Sequence, residues 1–290
     1  MGSVSAMRRI GGVNGDAILP AIRARLAAAL AAPHPRYRPW RVDGVDVGAL
    51  DDARAARLAA FRDVFDVDAT RVAFVPSLAT AAARTAALAR VAATLRVEGA
   101  LSSWRDEPYA VAAAFGAPAA CTLERGAARY FGLRTFAAHV NGYVESPAGT
   151  RLWFARRSAT KAIDPGMLDN LVGGGVRAGD GVANTVAREA WEEAGIPAQM
   201  AGTARAAGTV HVRRALADGL QDETIFVHDL ALPADFAPAN QDGEAVEHRL
   251  VDFVGAARLI AVRDGADTVT IDASLVVLDF LTRRGVFSAP

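Results

Sequence analysis

The sequence predicts an α/β protein: a three-layer α/β/α sandwich on a mixed sheet, preceded by a smaller α/β domain. Three observations carry this. Helical and strand periods alternate along the chain instead of falling into separate blocks. Near residue 135 the apolar period changes to two, which puts an accessory domain at residues 1–132 and the main domain at 133–290. A chain of 290 residues with 52% hydrophobic content has material for one large core or two ordinary ones.

Residues 1–15 carry little pattern. Ile18, Ile22, Leu26 and Leu30 recur at i+4 and predict a helix over 16–32, after which Pro33, Pro35 and Pro39 force an extended link. Residues 40–47 alternate around Gly44 as a short hairpin. A second helix is expected over 51–65, with Leu58, Phe61 and Phe65 on its apolar side, and a short strand over 71–75. Ser77 is the expected N-cap of an alanine-rich helix that ends before Gly99. The polar, aromatic patch 104–109 reads first as a surface turn with one buried Trp, and second as a substrate rim. Residues 124–130 read as one short helix. Phe136, Ala138, Val140, Tyr143 and Val144 open the strand material, and 152–155 follow after the turn at 147–149. Gly173, Gly174, Gly175 and Gly179 suggest a loop whose backbone N–H groups approach an anion. Strands are expected at 208–212, 224–230 and 248–253, with a loop over 233–242 and an amphipathic helix over 275–284.

A formal charge of +0 and pI near 7.0 give no global attraction to nucleic acid or an anionic membrane, so an anionic small molecule would need a local basic patch. The single cysteine, Cys121, excludes an intrachain disulfide framework and a cysteine-based zinc cluster. Arg23 and Arg25 interrupt the first apolar run, and no stretch reaches the ~20 apolar residues of a membrane span. The expectation is a soluble, cytoplasmic protein, with a homodimer left open.

Chemistry concentrates in residues 173–196. Glu189, Glu192 and Glu193 stand at i, i+3 and i+4 on one face of a predicted helix. Three such charges repel, and a hard divalent cation such as Mg²⁺ or Mn²⁺ offsets that. Arg188, four residues before Glu192, is placed to orient a carboxylate, and Gly195 to end the helix. Gly174, Arg188, Glu189, Ala190, Glu192, Glu193, Gly195 and Ile196 match in register the signature of the Nudix hydrolases, which this stretch resembles. Asp180 stands where that signature has a glutamate; one methylene shorter, it also suits a helix N-terminus. The resemblance implies the Nudix fold, metal ligation by Glu189, Glu192 and Glu193, and hydrolysis of a diphosphate anhydride.

Segments 155–161, 165–170, 139–143 and 240–244 resemble, more narrowly, Nudix proteins related to thiamine pyrophosphokinase, some with an extra N-terminal domain. That implies hydrolysis of thiamine pyrophosphate or related, including damaged, diphosphates to the monophosphate and phosphate. Arg156, Arg157 and Lys161, the chain's one lysine, are the candidate phosphate cations, although adjacent strand residues point to opposite faces, so at most one of the two arginines faces the site. Asp169 and Asn170 either read polar edges of the substrate or form a turn. Trp104, Tyr109, Tyr143 and Trp153 are aromatic candidates for its ring end. The general base is Glu193 or, by analogy with later-loop glutamates of the family, Glu244. Two alternatives stand: a Nudix hydrolase of nucleoside diphosphate derivatives such as ADP-ribose or dinucleotides, and a Nudix-fold isomerase or silent binding module. Known Nudix isomerases depend on an active-site cysteine, and Cys121 lies before the motif domain. Residues 133–290 are expected to fold without the preceding domain, which would tune substrate preference.

Overall fold

The structure, a computed structural model, describes residues 17–31 and 36–287. The unpatterned residues 1–15, both ends of the 16–32 expectation, Pro33 and Pro35 lie outside the described residues. In chain order the elements are α1 (Leu19–Leu30), β1 (Tyr37–Val42), β2 (Val45–Asp51), α2 (Asp52–Leu58), β3 (Phe65–Val67), β4 (Val72–Phe74), α3 (Ala81–Val97), β5 (Pro108–Val111) and β6 (Cys121–Glu124). There follow β7 (Arg134–Ser146), β8 (Gly149–Arg157), β9 (Leu168–Asn170), β10 (Val172–Gly175), α4 (Val182–Ala194), α5 (Ala198–Ala201), β11 (Arg205–Leu216), β12 (Gly219–Ala231), β13 (Ala245–Asp252), α6 (Phe253–Ala261) and α7 (Ile271–Arg283).

The main sheet runs β11-β12-β7-β8-β13, with β10 added to β7 and β9 to β8. It is mixed: β12 pairs parallel with β7, and the other pairings are antiparallel. Alternation along its strands builds two cores, because successive side chains leave opposite faces. Ala138, Val140 and Val144 of β7 pack with Trp153 and Leu250 under Val186, Ala190 and Ala194 of α4. On the other face Leu152 and Phe154 of β8 pack with Phe253, Ile260 and Phe280 of α6 and α7. The result is the expected α/β/α layering.

The smaller sheet, β2-β1-β4-β3, and the ribbon β5-β6 form a separate core with α2 and α3 around Trp40, Leu58, Leu88, Leu95 and Phe131. The first helix is not part of it. Ile22 and Leu26 of α1 are buried among α6 and α7 residues, and the Arg25 guanidinium donates to Ile260 O (3.1 Å), Ser274 Oγ (2.7 Å) and Val269 O. A division into 1–132 and 133–290 therefore separates α1 from the core it helps to build.

Other differences are local. The helix expected over 51–65 stops at Leu58, because Phe65 opens β3 opposite Phe74. Thr80, not Ser77, caps α3, its hydroxyl accepting from Ala83 N at 3.2 Å. Residues 124–130 are the end of β6 and a 3₁₀ turn. The glycine run is a strand, β10, in register with His139, Ala138 and Ala137 of β7. Among the described residues no helix is long and apolar enough to cross a membrane.

Candidate active site

α4 ends as its sequence demands: Gly195 adopts φ 64°, and its N–H reaches Trp191 O at 2.9 Å. At the other end Gly181 is the N-cap residue and makes no side-chain cap bond, so Asp180 does not take the capping role expected of it. The loop after β12 ties down α4's last carbonyls. Gln241 N donates to Glu192 O at 2.8 Å and Asn240 Nδ2 to the same oxygen at 3.3 Å, satisfying acceptors a helix end leaves open. That tether carries Glu244 to the mouth of a cleft of about 360 Å³.

Glu189, Glu192 and Glu193 line one wall of this cleft, together with Arg188. Arg188 Nη1 donates to Glu189 Oε1 at 2.6 Å and to Glu192 Oε2 at 3.2 Å, so it orients two carboxylates where spacing predicted one. Glu193, like Glu189, is buried. Its Oε2 accepts from Gly173 N at 2.8 Å, and burial, reinforced by Glu189, pushes its carboxyl up to about 8. Burial also raises Glu189. Both shifts reflect negative charge gathered out of water without full compensation.

As a donor set, three carboxylates on one wall fit a hard divalent cation. In this conformation Arg188 holds two of them, and among the described residues no three His, Cys, Asp or Glu side chains form a converged cage. Gly174 is explained by the same packing: a Cβ there would stand 2.0 Å from the Glu189 carboxyl carbon.

Facing α4, Lys161 Nζ is ion-paired with Glu244, and burial lowers its pKa. Arg157 Nη1 bonds Asp169 Oδ2 at 2.9 Å, and both line the cleft. Two expected substrate residues do not. Arg156 points to the other face of β8, where Glu247 (2.6 Å) and Asp267 (2.8 Å) pair with it, as alternation along a strand requires. Asn170 is buried beneath the cleft, its Oδ1 2.8 Å from His139 Nδ1 and its Nδ2 donating to Asn141 Oδ1 at 3.2 Å; it supports the floor and does not reach a substrate. Of the aromatic candidates Tyr109 lines the cleft, whereas Tyr143 packs on Phe280 and Trp153 on the α4 side of the sheet.

Residues missed from the sequence as site members are Arg105, Glu107, Arg125, Arg177 and His139, all on the cleft wall. The 104–109 patch signalled two of them, but was read first as a surface turn. Arg125 had no local signal. Cys121 is buried in the N-terminal core, with its thiol pushed up to about 12 by burial, far from a nucleophile's range.

Two family models match in tandem: a domain of unknown function, DUF4743, over residues 23–135 and the NUDIX domain over 135–269. Nudix hydrolase 24, chloroplastic, of Arabidopsis thaliana is 36% identical over 252 residues, covering 86% of this chain and 68% of that protein. This chain belongs to the Nudix hydrolase family. Nudix hydrolase 20, chloroplastic, of the same plant is 39% identical over 202 residues, which are 70% of this chain and about half (53%) of that protein. An uncharacterized protein of Saccharomyces cerevisiae is 27% identical, over 84% of this chain and 76% of its own length. Solved Nudix structures align over about half the chain; the NUDIX domain of Shewanella oneidensis NrtR complexed with ADP ribose does so at 12% identity, covering 52% of this chain and 88% of that one, with a TM-score of 0.41. The NUDIX domain match and the 36%-identical relative make the protein a Nudix hydrolase of diphosphate bonds, a family that generally works with divalent metals.

Proposed function

We propose that this Nudix hydrolase is a Mg²⁺- or Mn²⁺-dependent diphosphatase of thiamine pyrophosphate or a related, including damaged, diphosphate, releasing the monophosphate and phosphate. The observation that supports it best is the mixed polarity of the cleft: the α4 carboxylates, Lys161 and Glu244 line it together with Asp164, Asp169, Thr270 and Asp272. A substrate with an anionic diphosphate and a cationic thiazolium matches that polarity, and the segments resembling thiamine pyrophosphokinase-related Nudix proteins point the same way.

Glu189, Glu192 and Glu193 would hold the ion, which supplies charge neutralisation at the phosphate oxygens and lowers the pKa of an attacking water. The protein's own residues do the rest. Arg188 keeps Glu189 and Glu192 oriented. Lys161 exchanges its Glu244 carboxylate for a phosphate oxygen. Glu244, released and half-exposed on its loop, takes the proton of the water that attacks phosphorus as the bridging P–O bond breaks. Glu193 is the poorer base, because its Oε2 is already engaged by the Gly173 N–H and its charge is committed to the ion. The test is phosphate release from thiamine pyrophosphate, an oxidised analogue, ADP-ribose and a dinucleotide, with Mg²⁺ and with chelator. We expect kcat/KM for a thiamine-type diphosphate at least ~10-fold above ADP-ribose, a difference of ~1.4 kcal/mol within reach of one or two contacts. Equal or better turnover of ADP-ribose would replace the thiamine reading with the nucleotide one, and activity in excess chelator would remove the metal.

A further inference from the structure

The sequence points to Arg156, Arg157 and Lys161 as the phosphate cations; the structure turns Arg156 away from the cleft and pairs Arg157 and Lys161 with Asp169 and Glu244. Arg188 is likewise committed to Glu189 and Glu192. Lys161 meets a phosphate only by exchanging Glu244, so a diphosphate draws further positive charge from elsewhere on the wall. Two groupings carry a surplus. Glu107 is shared by two guanidinium groups: Oε2 accepts from Arg125 Nη1 at 2.8 Å and Oε1 from Arg177 Nη2 at 2.6 Å, leaving net +1. Glu244 is shared by Lys161 and, at 3.6 Å, by Arg105, again leaving net +1. Each grouping contains an arginine that precedes β7, Arg125 in the first and Arg105 in the second.

These two arginines are built into place. The Glu124 carboxylate accepts from Arg105 N at 2.7 Å and from Gly126 N at 3.0 Å, so one side chain fixes the backbone beside both. The segments touch so closely that a Cβ on Gly126 would lie 2.1 Å from Ser103 O. Arg125 stacks over the Tyr109 ring at 5.6 Å, and the Tyr109 hydroxyl fills the space a side chain at Gly175 would take, with an ideal Cβ only 1.6 Å away. Ala178 N donates to Pro108 O at 2.9 Å, bonding the start of β5 to the loop that leads into α4. Arg125 thus stands toward Glu189, within its electrostatic reach, and Arg105 toward Glu244.

We propose that Arg105 and Arg125 bind the diphosphate oxygens from either side of the α4 carboxylates, so that the segment before β7 completes the active site. This rests on the diphosphatase reading. Glu107 and Glu124 are then positioning residues.

The test uses the full chain with Mg²⁺ and methylenediphosphonate, a diphosphate that cannot be hydrolysed, titrated by calorimetry, alongside steady-state phosphate release. Arg125→Gln and Arg105→Gln should each weaken methylenediphosphonate by about 10-fold or more, the scale of one charge-assisted phosphate contact, and raise KM more than they lower kcat. Arg125→Lys should recover part of the affinity, which repair of packing alone would not do. Arg105→Gln breaks the longest of the ion pairs and is the variant to rely on should Arg125→Gln not fold. A Kd within twofold of the unsubstituted protein in a folded Gln variant would overturn the proposal. An unsubstituted protein that neither binds methylenediphosphonate nor releases phosphate from any diphosphate would overturn the diphosphatase reading instead.

Discussion

Replacing Gly174 by Ala adds one methyl group at the point where the motif's strand and helix meet. The new Cβ would lie 2.0 Å from the Glu189 carboxyl carbon, 2.2 Å from Oε1 and 2.5 Å from Cγ, where ordinary contact begins at 3.4 Å. The backbone at 174 is ordinary β strand paired with Ala138, so alanine itself is accepted there, and the carboxylate has to retreat by more than about 1 Å. Glu189 is nearly buried and tied to Arg188, so the retreat also disturbs the orientation of Glu192. Misplacing a catalytic group by about 1 Å costs on the order of 10²-fold in rate. The expected outcome is a folded protein, with a thermal midpoint close to that of the parent, whose kcat falls about 100-fold in Mg²⁺ while KM changes little. Gly173→Ala is the comparison. Its Cβ meets the His139 ring at 3.0–3.2 Å, a clash relieved by a few tenths of an ångström, and it should lose under about 10-fold. A Gly174→Ala enzyme within threefold of the parent would show that Glu189 does not act from the position it occupies here.

Four further outcomes follow from the same geometry. Glu192→Gln keeps size and removes charge, and should lower kcat at least ~10²-fold in a Mg²⁺ assay of phosphate release; a near-normal rate would take the chemistry away from α4. Measured in chelator, Glu193→Gln should match the parent's stability at pH 4 and exceed it at pH 9. The raised carboxyl of Glu193 contributes stability that is fully present below its unfolded value of 4.5 and is lost as pH rises through about 8, whereas Gln does not titrate; parallel stability–pH curves would refute this. Lys161→Ala should lower kcat/KM on every diphosphate, while Asp169→Ala, which frees Arg157, should change the preference among them; a uniform effect of both would remove the substrate-reading role of Asp169. Ile22→Ala should cost about 2–5 kcal/mol, the range for truncating a fully buried aliphatic side chain, and should loosen amide protection in α6 and α7 more than in α3; loss confined to α3 would place α1 with the wrong core.

What the sequence disclosed follows from how local each feature is. The α4 carboxylates, Arg188 and Gly195 interact with neighbours three or four positions away, so a helical period alone assembles them. The alternation of β8 already implied that Arg156 and Arg157 part company, and the structure identifies Arg157 as the one in the cleft. The glycine run misled because glycine is a poor strand residue on average. Here it is required in a strand, since Glu189 and Tyr109 occupy the space above Gly174 and Gly175, and both arrive from distant sequence. Arg125 and Arg177 meet over Glu107 across a separation no periodicity reports. The same is true of α1, whose apolar stripe is plain but whose Arg25 bonds to Ile260 and Ser274, more than 230 residues away.

That last separation has a consequence for how the chain is made. The core around Trp40, Leu88 and Phe131 draws on residues before β7 and can close while the rest is still being synthesised. The core beneath α6 and α7 cannot. Ile22 and Leu26 are made long before Phe253, Ile260 and Phe280, and Arg25 long before Ser274. Contacts of such long range form late and slowly, because the loop they close must be ordered before they reward it. The first helix therefore spends translation with its apolar face uncovered.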